Sequence, residues 1–241
     1  MIRFGALVAG LTLASSMAFA GTPLPFGPGG FVPPDSTTTK VELGVAKNLG
    51  KLSAAISKCH AKGAGNVFKL KPSGVAACDG LAVTKYNAGT AKLVGVACVD
   101  PTAQTALGGT VAGLVQSFDS TIWCAGTTPL GAEFAGGFVA PDSNTLKAEA
   151  LTAGTLIKHS GAIQKCSSKG VSNLTKAKPD GYAACAALAT TKTNASLAKI
   201  AATAPACLTS SPLATAATVE GLTLSFNPAV LCASPSGAFL N

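Results

Sequence analysis

The sequence predicts an all-α protein: a tandem duplication of a disulfide-stapled three-helix bundle module of about 100 residues. Three observations lead to this prediction: a long internal repeat, apolar residues at helical spacing, and cysteines at repeated positions. Apolar residues that alternate as in a β-strand do not extend over a convincing length, so we expect no sheet.

The repeat is visible when the chain is shifted by 107 positions against itself. Residues 29–92 then align with residues 136–199 without a gap, and 36 of these 64 positions are identical. The stretch GGFVPPDS at 29–36 recurs as GGFVAPDS at 136–143. A repeat of this length corresponds to a domain-sized unit rather than to one turn of a solenoid.

The first 20 residues have the layout of a secretory signal peptide. Arg3 precedes an apolar run, and the small residues of AFA at 18–20 form a cleavage site. No later apolar stretch reaches the roughly 18 residues that a membrane span requires, so we expect no transmembrane span in the mature chain. The predicted organisation is a signal peptide at 1–20, helical module 1 at 21–127 and helical module 2 at 128–241.

Eight cysteines follow the predicted cleavage point, and they are the only site residues that the sequence identifies. They are Cys59, Cys78, Cys98, Cys124, Cys166, Cys185, Cys207 and Cys232. An even number of cysteines in an exported chain predicts a disulfide framework. The predicted location is therefore an oxidising one: secreted, extracellular or periplasmic.

Two of the disulfides follow from the predicted helices. Helix A is expected to end near the first cysteine of each module and helix B to begin near the second, so an antiparallel hairpin brings them together. This arrangement predicts the pairs Cys59–Cys78 and Cys166–Cys185. Each bridge closes a loop of about 20 residues, which is worth roughly 3 kcal/mol in the chain-entropy model.

The other four cysteines leave two alternatives. Pairing within the modules gives Cys98–Cys124 and Cys207–Cys232, whereas pairing between them gives Cys98–Cys207 and Cys124–Cys232. We prefer pairing within the modules, because a duplicated unit must once have folded alone. It requires residues 99–106 to return along the bundle in an extended form.

Helix A is predicted to follow the PPDS and PDS motifs, because Asp and Ser side chains accept hydrogen bonds from the first backbone N–H groups. Its apolar stripe in module 1 is Val41, Val45, Leu49, Leu52, Ile56 and Cys59. A lysine stripe lies about 130° away: Lys40, Lys47, Lys51, Lys58 and Lys62, four of which recur as Lys147, Lys158, Lys165 and Lys169. We interpret it as the solvated face of an amphipathic helix; the alternative is a cationic docking strip.

The other two helices have weaker signals. Helix B is predicted to begin at KPSGVAAC (71–78) and KPDGYAAC (178–185), where Pro with Ser73 or Asp180 marks an entrance. Helix C carries the apolar stripe Leu107, Val111, Leu114, Val115, Phe118 and Ile122, and its counterpart is Val219, Leu222, Phe226 and Val230.

Few residues suit catalysis. His60 and His159 are the only histidines, and the repeat does not align them. We expect His60 to be a solvated residue at a helix end. His159 replaces Leu52 on the apolar stripe, so it either faces the other module or is hydrogen-bonded locally. Metal-ligand spacing, nucleophile elbows and phosphate-binding loops are absent from the sequence, so we predict no enzyme and no catalytic, cofactor or metal site.

The charge excludes one class of partner. After residue 20 the chain has 17 lysines, 10 acidic residues and no arginine, a net charge of 17 − 10 = +7. Nucleic acid is an unexpected partner, because the bidentate guanidinium used for phosphate and guanine is missing. Asn173 and Asn194 lie in glycosylation sequons, whose use depends on the source.

Two non-enzymatic functions are compatible with the sequence. The first is a structural or protein-binding component of the cell surface or extracellular space, with a filled core and an exposed apolar patch around Phe31, Phe138 or Trp123. The alternative is a carrier of a small apolar ligand or lipid, with a cavity lined by Val, Leu and Ile. Neither the ligand nor the protein partner can be named from the sequence.

Overall fold

A computed structural model of the chain describes residues 33, 35–93, 101–123, 140–203, 208 and 212–231. In this part of the chain every regular element is helical, which confirms the all-α prediction. The α-helices are α1 (Ser36–Phe68), α2 (Val75–Thr90), α3 (Pro101–Ser117), α4 (Asp119–Ile122), α5 (Ser143–Leu174), α6 (Tyr182–Ala201), α7 (Pro212–Ser225) and α8 (Asn227–Val230). A short 3-10 turn, Ala91–Leu93, follows α2.

The two long helices begin where the sequence predicts. Asp35 Oδ1 accepts hydrogen bonds from the backbone N–H groups of Thr37 and Thr38, at 2.7 and 2.8 Å. Asp142 makes the same two bonds at the start of α5, at 2.8 and 2.9 Å. Each aspartate therefore satisfies two N–H groups that have no partner within the helix.

Both long helices end later than predicted. Instead of ending near Cys59, α1 continues to Phe68, and α5 continues to Leu174. The two predicted disulfides are nevertheless confirmed, with Cα–Cα distances of 5.6 Å in Cys59–Cys78 and in Cys166–Cys185. The bridges therefore join the side of a long helix to the first turn of the next helix.

The remaining cysteines, Cys98, Cys124, Cys207 and Cys232, lie outside the described residues, as do the predicted signal peptide and both GGFV motifs. Their pairing stays a prediction. The described part of 99–106 is not extended, because residues 101–106 form the first turns of α3. Pro101 occupies the first helical position, where its fixed φ favours a helix and its missing N–H is not needed.

The halves of the chain pack through their long helices. α1 packs against α2 and α3, α5 packs against α6 and α7, and α1 and α5 pack against each other. Val171 near the end of α5 joins the cluster around Val45 and Leu49, while Ala64 near the end of α1 joins the cluster around Ala153. α1 and α5 therefore run antiparallel, and each buried cluster draws side chains from both halves.

None of the described helices is both long enough and apolar enough to cross a bilayer.

Candidate functional site

An apolar cleft lies where α1 and α5 meet beneath α3, α4 and α7. α3 and α7, together with the residue that follows each, contribute side chains that are 108 positions apart: Val111 and Val219, Leu114 and Leu222, Phe118 and Phe226. The cleft contains about 540 Å³ of empty space including its open mouth, of which about 70 Å³ can hold the centre of a water molecule. These are the predicted stripes of helix C, so the sequence identified the lining residues but not the cleft between them.

Three of the four hydroxyl side chains that line the cleft, those of Ser53, Ser160 and Thr223, bond to the protein itself. The hydroxyl oxygens of Ser160 and Thr223 lie 2.9 Å apart, and Thr223 also donates to the carbonyl of Val219 at 2.7 Å. Ser53 donates to the carbonyl of Leu49 at 3.2 Å. Because these hydroxyl groups are used within the helices, the cleft offers mainly aliphatic and aromatic surface to a ligand.

His60 belongs to a buried charged network outside the cleft. Its Nδ1 lies 2.9 Å from Asp119 Oδ1 and its Nε2 lies 3.0 Å from Asp79 Oδ2. The indole N–H of Trp123 donates to Asp119 Oδ1 at 3.1 Å. The expectation that His60 is solvated was therefore wrong, since only 1% of its surface is exposed. α1 continues past His60, and the Cys59–Cys78 bridge brings the following residue, Asp79, beside it.

The two carboxylates change the protonation of this network. Burial alone would lower the pKa of His60, but hydrogen bonds and charges from Asp119 and Asp79 outweigh it and raise the pKa. Burial also raises the pKa of Asp119, against the opposing effects of His60 and Trp123. Both ring nitrogens of His60 face carboxylates, so this network links α1, α2 and α4 and does not present a base to the cleft.

His159 is also buried, and its partners come from its own half. Its Nδ1 lies 3.1 Å from Thr193 Oγ1, and its Nε2 lies 3.5 Å from Glu220 Oε2, a distance at which an ion pair forms only when the ring is protonated. Burial lowers the pKa of His159, and Glu220 only partly offsets this effect. Of the two predicted environments, local hydrogen bonding is the one observed.

Glu42 is a buried acid that the sequence reasoning missed. Its side chain is fully buried, and neither carboxyl oxygen has a hydrogen-bond partner among the described residues. Burial, with a smaller contribution from the charge of Asp35, raises the pKa of Glu42 to about 8. Its spacing could have revealed this position, because Glu42 precedes Val45 by three residues and therefore extends the apolar stripe of α1.

Positive charge dominates the surface. All 17 lysines are described and exposed, which both interpretations of the lysine stripe require. Among the eight described carboxylates only Asp35 and Asp142 are exposed, and both are occupied as helix caps. The ion pairs within the described part involve histidine, so the lysines are not neutralised by them.

The described residues include no group of three or more His, Cys, Asp or Glu side chains that could hold a metal ion. Comparison with known proteins gives no relative: no family model, no curated protein and no solved structure matches this chain. The geometry of the chain itself is therefore the only basis for a functional conclusion.

Proposed function

We propose that this protein is an exported, non-enzymatic carrier that holds a small apolar ligand, or the apolar chain of a lipid, in its central cleft. The observation that carries the proposal is the apolar lining, in which three of the four hydroxyl groups are bonded to the protein itself. A ligand there would be stabilised by about 25 cal/mol for each Å² of apolar surface removed from water.

The repeat and the disulfides support the rest of this proposal. In our interpretation the two halves are copies of one module, and the cleft forms where equivalent surfaces of the copies meet. Residues 108 positions apart in α3 and α7 support that interpretation. Two disulfides, together with the predicted signal peptide, favour an oxidising compartment outside the cytosol.

The other predicted function, a structural or protein-binding component, receives less support from the apolar side chains. Trp123, one of three residues expected in an exposed patch, is 1% exposed. Phe31 and Phe138, the other two, lie outside the described residues. Protein binding would therefore need a surface other than the one around Trp123.

Calorimetric titration with a series of straight-chain alcohols, from butanol to decanol, tests the carrier proposal. Each added CH₂ group should contribute about 0.8 kcal/mol, or roughly fourfold in affinity, until the chain fills the cleft. Beyond that length the affinity should level off. A saturable series with such a limit would support the proposal and would also measure how long a chain the cleft accepts.

A matched pair of variants locates the binding. Ser53→Phe places a ring in the cleft and removes only a hydroxyl bond to a carbonyl four residues earlier. Ser196→Phe removes the same type of bond, from Ser196 to Lys192, on an exposed part of α6. We expect loss of alcohol binding in Ser53→Phe alone. Equal binding by both variants, or no saturable binding in the unmodified protein, would refute the proposal.

A further inference from the structure

α1 and α5 also form a long groove, and all of its described lining residues belong to these two helices. On the same two measures as the cleft, it contains about 1500 Å³ of empty space including its open mouth, of which about 730 Å³ can hold the centre of a water molecule. Lys47, Lys51 and Lys58 of α1 and Lys158 and Lys165 of α5 line it, without any carboxylate among the described lining residues. Ala and Gly make up most of the remaining lining, together with Ile157. The groove is therefore cationic and has an apolar floor.

The lysines of α1 lie on one rim of this groove. An α-helix turns about 100° per residue. We measure each position by its rotation about the axis of α1, starting from Ser57, which also lines the cleft. The small residues of the floor lie within about 60° of Ser57: Gly50, Ala54 and Ala61. The three lysines of α1 lie about 80–120° from Ser57 in the same direction.

The same order of positions is found on α5. Measured from Ile157, which also lines both the cleft and the groove, Gly154 and Gly161 lie within about 60°, and Lys158 and Lys165 lie about 80–100° away. The two long helices therefore give the apolar floor a cationic rim on each side.

Three glycines leave the floor open. A Cβ atom added at Gly50, Gly154 or Gly161 would meet no atom of the described part of the chain within 4 Å. Glycine in a helix interior costs about 1 kcal/mol relative to alanine, and packing does not require it at these positions. Gly108, by contrast, lies against the ring of Tyr86, and a Cβ there would come within 2.6 Å of that ring.

We propose that this groove binds an acidic amphipathic helix of a partner protein. From Lys47 to Ala61 the groove is about 21 Å long at 1.5 Å per residue, which equals roughly four helical turns. A helix with an apolar stripe and acidic residues on both flanks would contact the floor and both rims together. Small residues in the floor let the two backbones approach closely.

Other occupants match the groove less well. A single anionic head group would reach lysines at only one point along the rims. A second copy of this chain would bring its own lysines, since all 17 are exposed. Lysine carries a point charge without the planar fork of arginine, so it suits acidic side chains at several positions along a helix.

The test uses the full mature, oxidised protein and a labelled 18-residue peptide with Leu and Ala on one face and Glu on both flanks. Fluorescence anisotropy should show saturable binding that weakens with added salt. The variant K51Q/K58Q/K158Q/K165Q should bind the peptide at least about tenfold more weakly, since four ion pairs are lost. The control K69Q/K71Q/K176Q/K178Q removes the same charge away from the groove and should change binding less than about threefold.

A second arm tests the floor without changing charge. G154L/G161L should fill the groove and weaken peptide binding at least about tenfold, while its Tm stays at or above that of the unmodified protein, because Leu favours helix more than Gly does. Gly80→Leu is the control, since a Cβ at Gly80 in α2 also meets no atom of a described residue within 4 Å.

Three results would overturn the proposal. They are unchanged peptide binding by G154L/G161L, an equal loss of binding in both lysine variants, and binding of phosphatidylglycerol vesicles without binding of the peptide. The last result would assign the lysines to an anionic membrane surface instead.

Discussion

The residues that follow the paired cysteines differ between the two halves of the molecule. In the first half His60 and Asp79 follow Cys59 and Cys78, and they form a buried charged network with Asp119 at the start of α4. Two carboxylates and a histidine thus hold together three helices in the interior.

In the second half the corresponding positions carry Ser167, Ala186 and Asn227. The amide of Asn227 donates to the hydroxyl of Ser167 at 3.4 Å, a long and weak bond between neutral groups. The cysteine bridge has the same Cα–Cα distance in both halves. The framework therefore determines which positions meet but does not require that they carry charge.

The largest expected effect comes from breaking the charged network. Asp119→Ala leaves His60 with one carboxylate and the indole N–H of Trp123 without its acceptor. Loss of one partner from a buried charged pair costs about 3–5 kcal/mol, whereas Asn227→Ala should cost about 1 kcal/mol. Urea unfolding at pH 7 measures both. An equal loss of unfolding free energy in the two variants would show that the charges make no additional contribution to stability.

The disulfides give the next comparison. Both bridges join cysteines 19 positions apart, so the chain-entropy model assigns each about 3 kcal/mol. Cys59→Ala/Cys78→Ala should cost more than Cys166→Ala/Cys185→Ala, because the first bridge also holds His60 beside Asp79. Thermal and urea unfolding of the two double variants test this order, and a larger loss in the second half would contradict it.

Glu42 gives a prediction about pH. In the unfolded chain Glu42 ionises near its ordinary pKa of 4.5, but in the folded protein it keeps its proton until about pH 8. The folded state binds more protons between these values, so the free energy of unfolding falls as the pH rises from about 4.5 to 8. Glu42→Gln should remove this fall, which is about 1.4 kcal/mol for each pH unit, and stabilise the protein by roughly 4–5 kcal/mol at pH 8.5.

Glu149, 107 positions later, is the matched control. It is equally buried but makes interactions of its own, so we expect no comparable gain from Glu149→Gln. Urea unfolding of both variants from pH 5 to 9 makes the comparison. A wild-type stability that does not change over this range would contradict the assignment of a buried, protonated Glu42.

The smallest effect is expected when the first half receives the residues of the second. The triple variant His60→Ser/Asp79→Ala/Asp119→Asn removes every charge of the network and keeps an acceptor for Trp123. It should be within about 2 kcal/mol of the unmodified protein at pH 7, because replacing a whole buried charged set is often nearly neutral.

The same variant isolates the titration of His60. The raised pKa of His60 means that its contribution is complete below about pH 6.5 and is lost as the pH rises through the folded-state pKa. Both proteins are compared in the Glu42→Gln background. The free energy of unfolding should fall at alkaline pH in the protein that retains His60, and this fall should be absent from the triple variant. A loss that persists in the triple variant would assign it to another group.

Local signals explain what the sequence could predict. Asp35 and Asp142 bond to N–H groups only two and three residues away, so the starts of the two long helices could be predicted. The spacing of Cys59 and Cys78 fits one helical hairpin, so the two described disulfides could be predicted as well. The burial of His60 could not be predicted, because it depends on the continuation of α1 to Phe68 and on the packing of α4 beside His60. These contacts join residues about 60 positions apart, beyond the range of any periodic pattern.

The cleft illustrates the same limit. The stripes around Val111 and Val219 were visible in the sequence as helix faces, and each was expected to pack within its own module. Instead, the antiparallel contact of α1 and α5 brings both faces to one cleft. Sequence periodicity indicates which face of a helix is buried, but the partner that buries it depends on the packing of the whole chain.

NMR spectroscopy of methyl-labelled protein during a titration with 1-octanol tests the central claim most directly. We predict saturable shifts, with one common affinity, for the methyl groups of Val111 and Leu114 and for those of Val219 and Leu222, while the exposed Leu81 and Leu188 remain unshifted. Shifts confined to the exposed leucines, or shifts in only one half of the molecule, would contradict a shared apolar binding cleft.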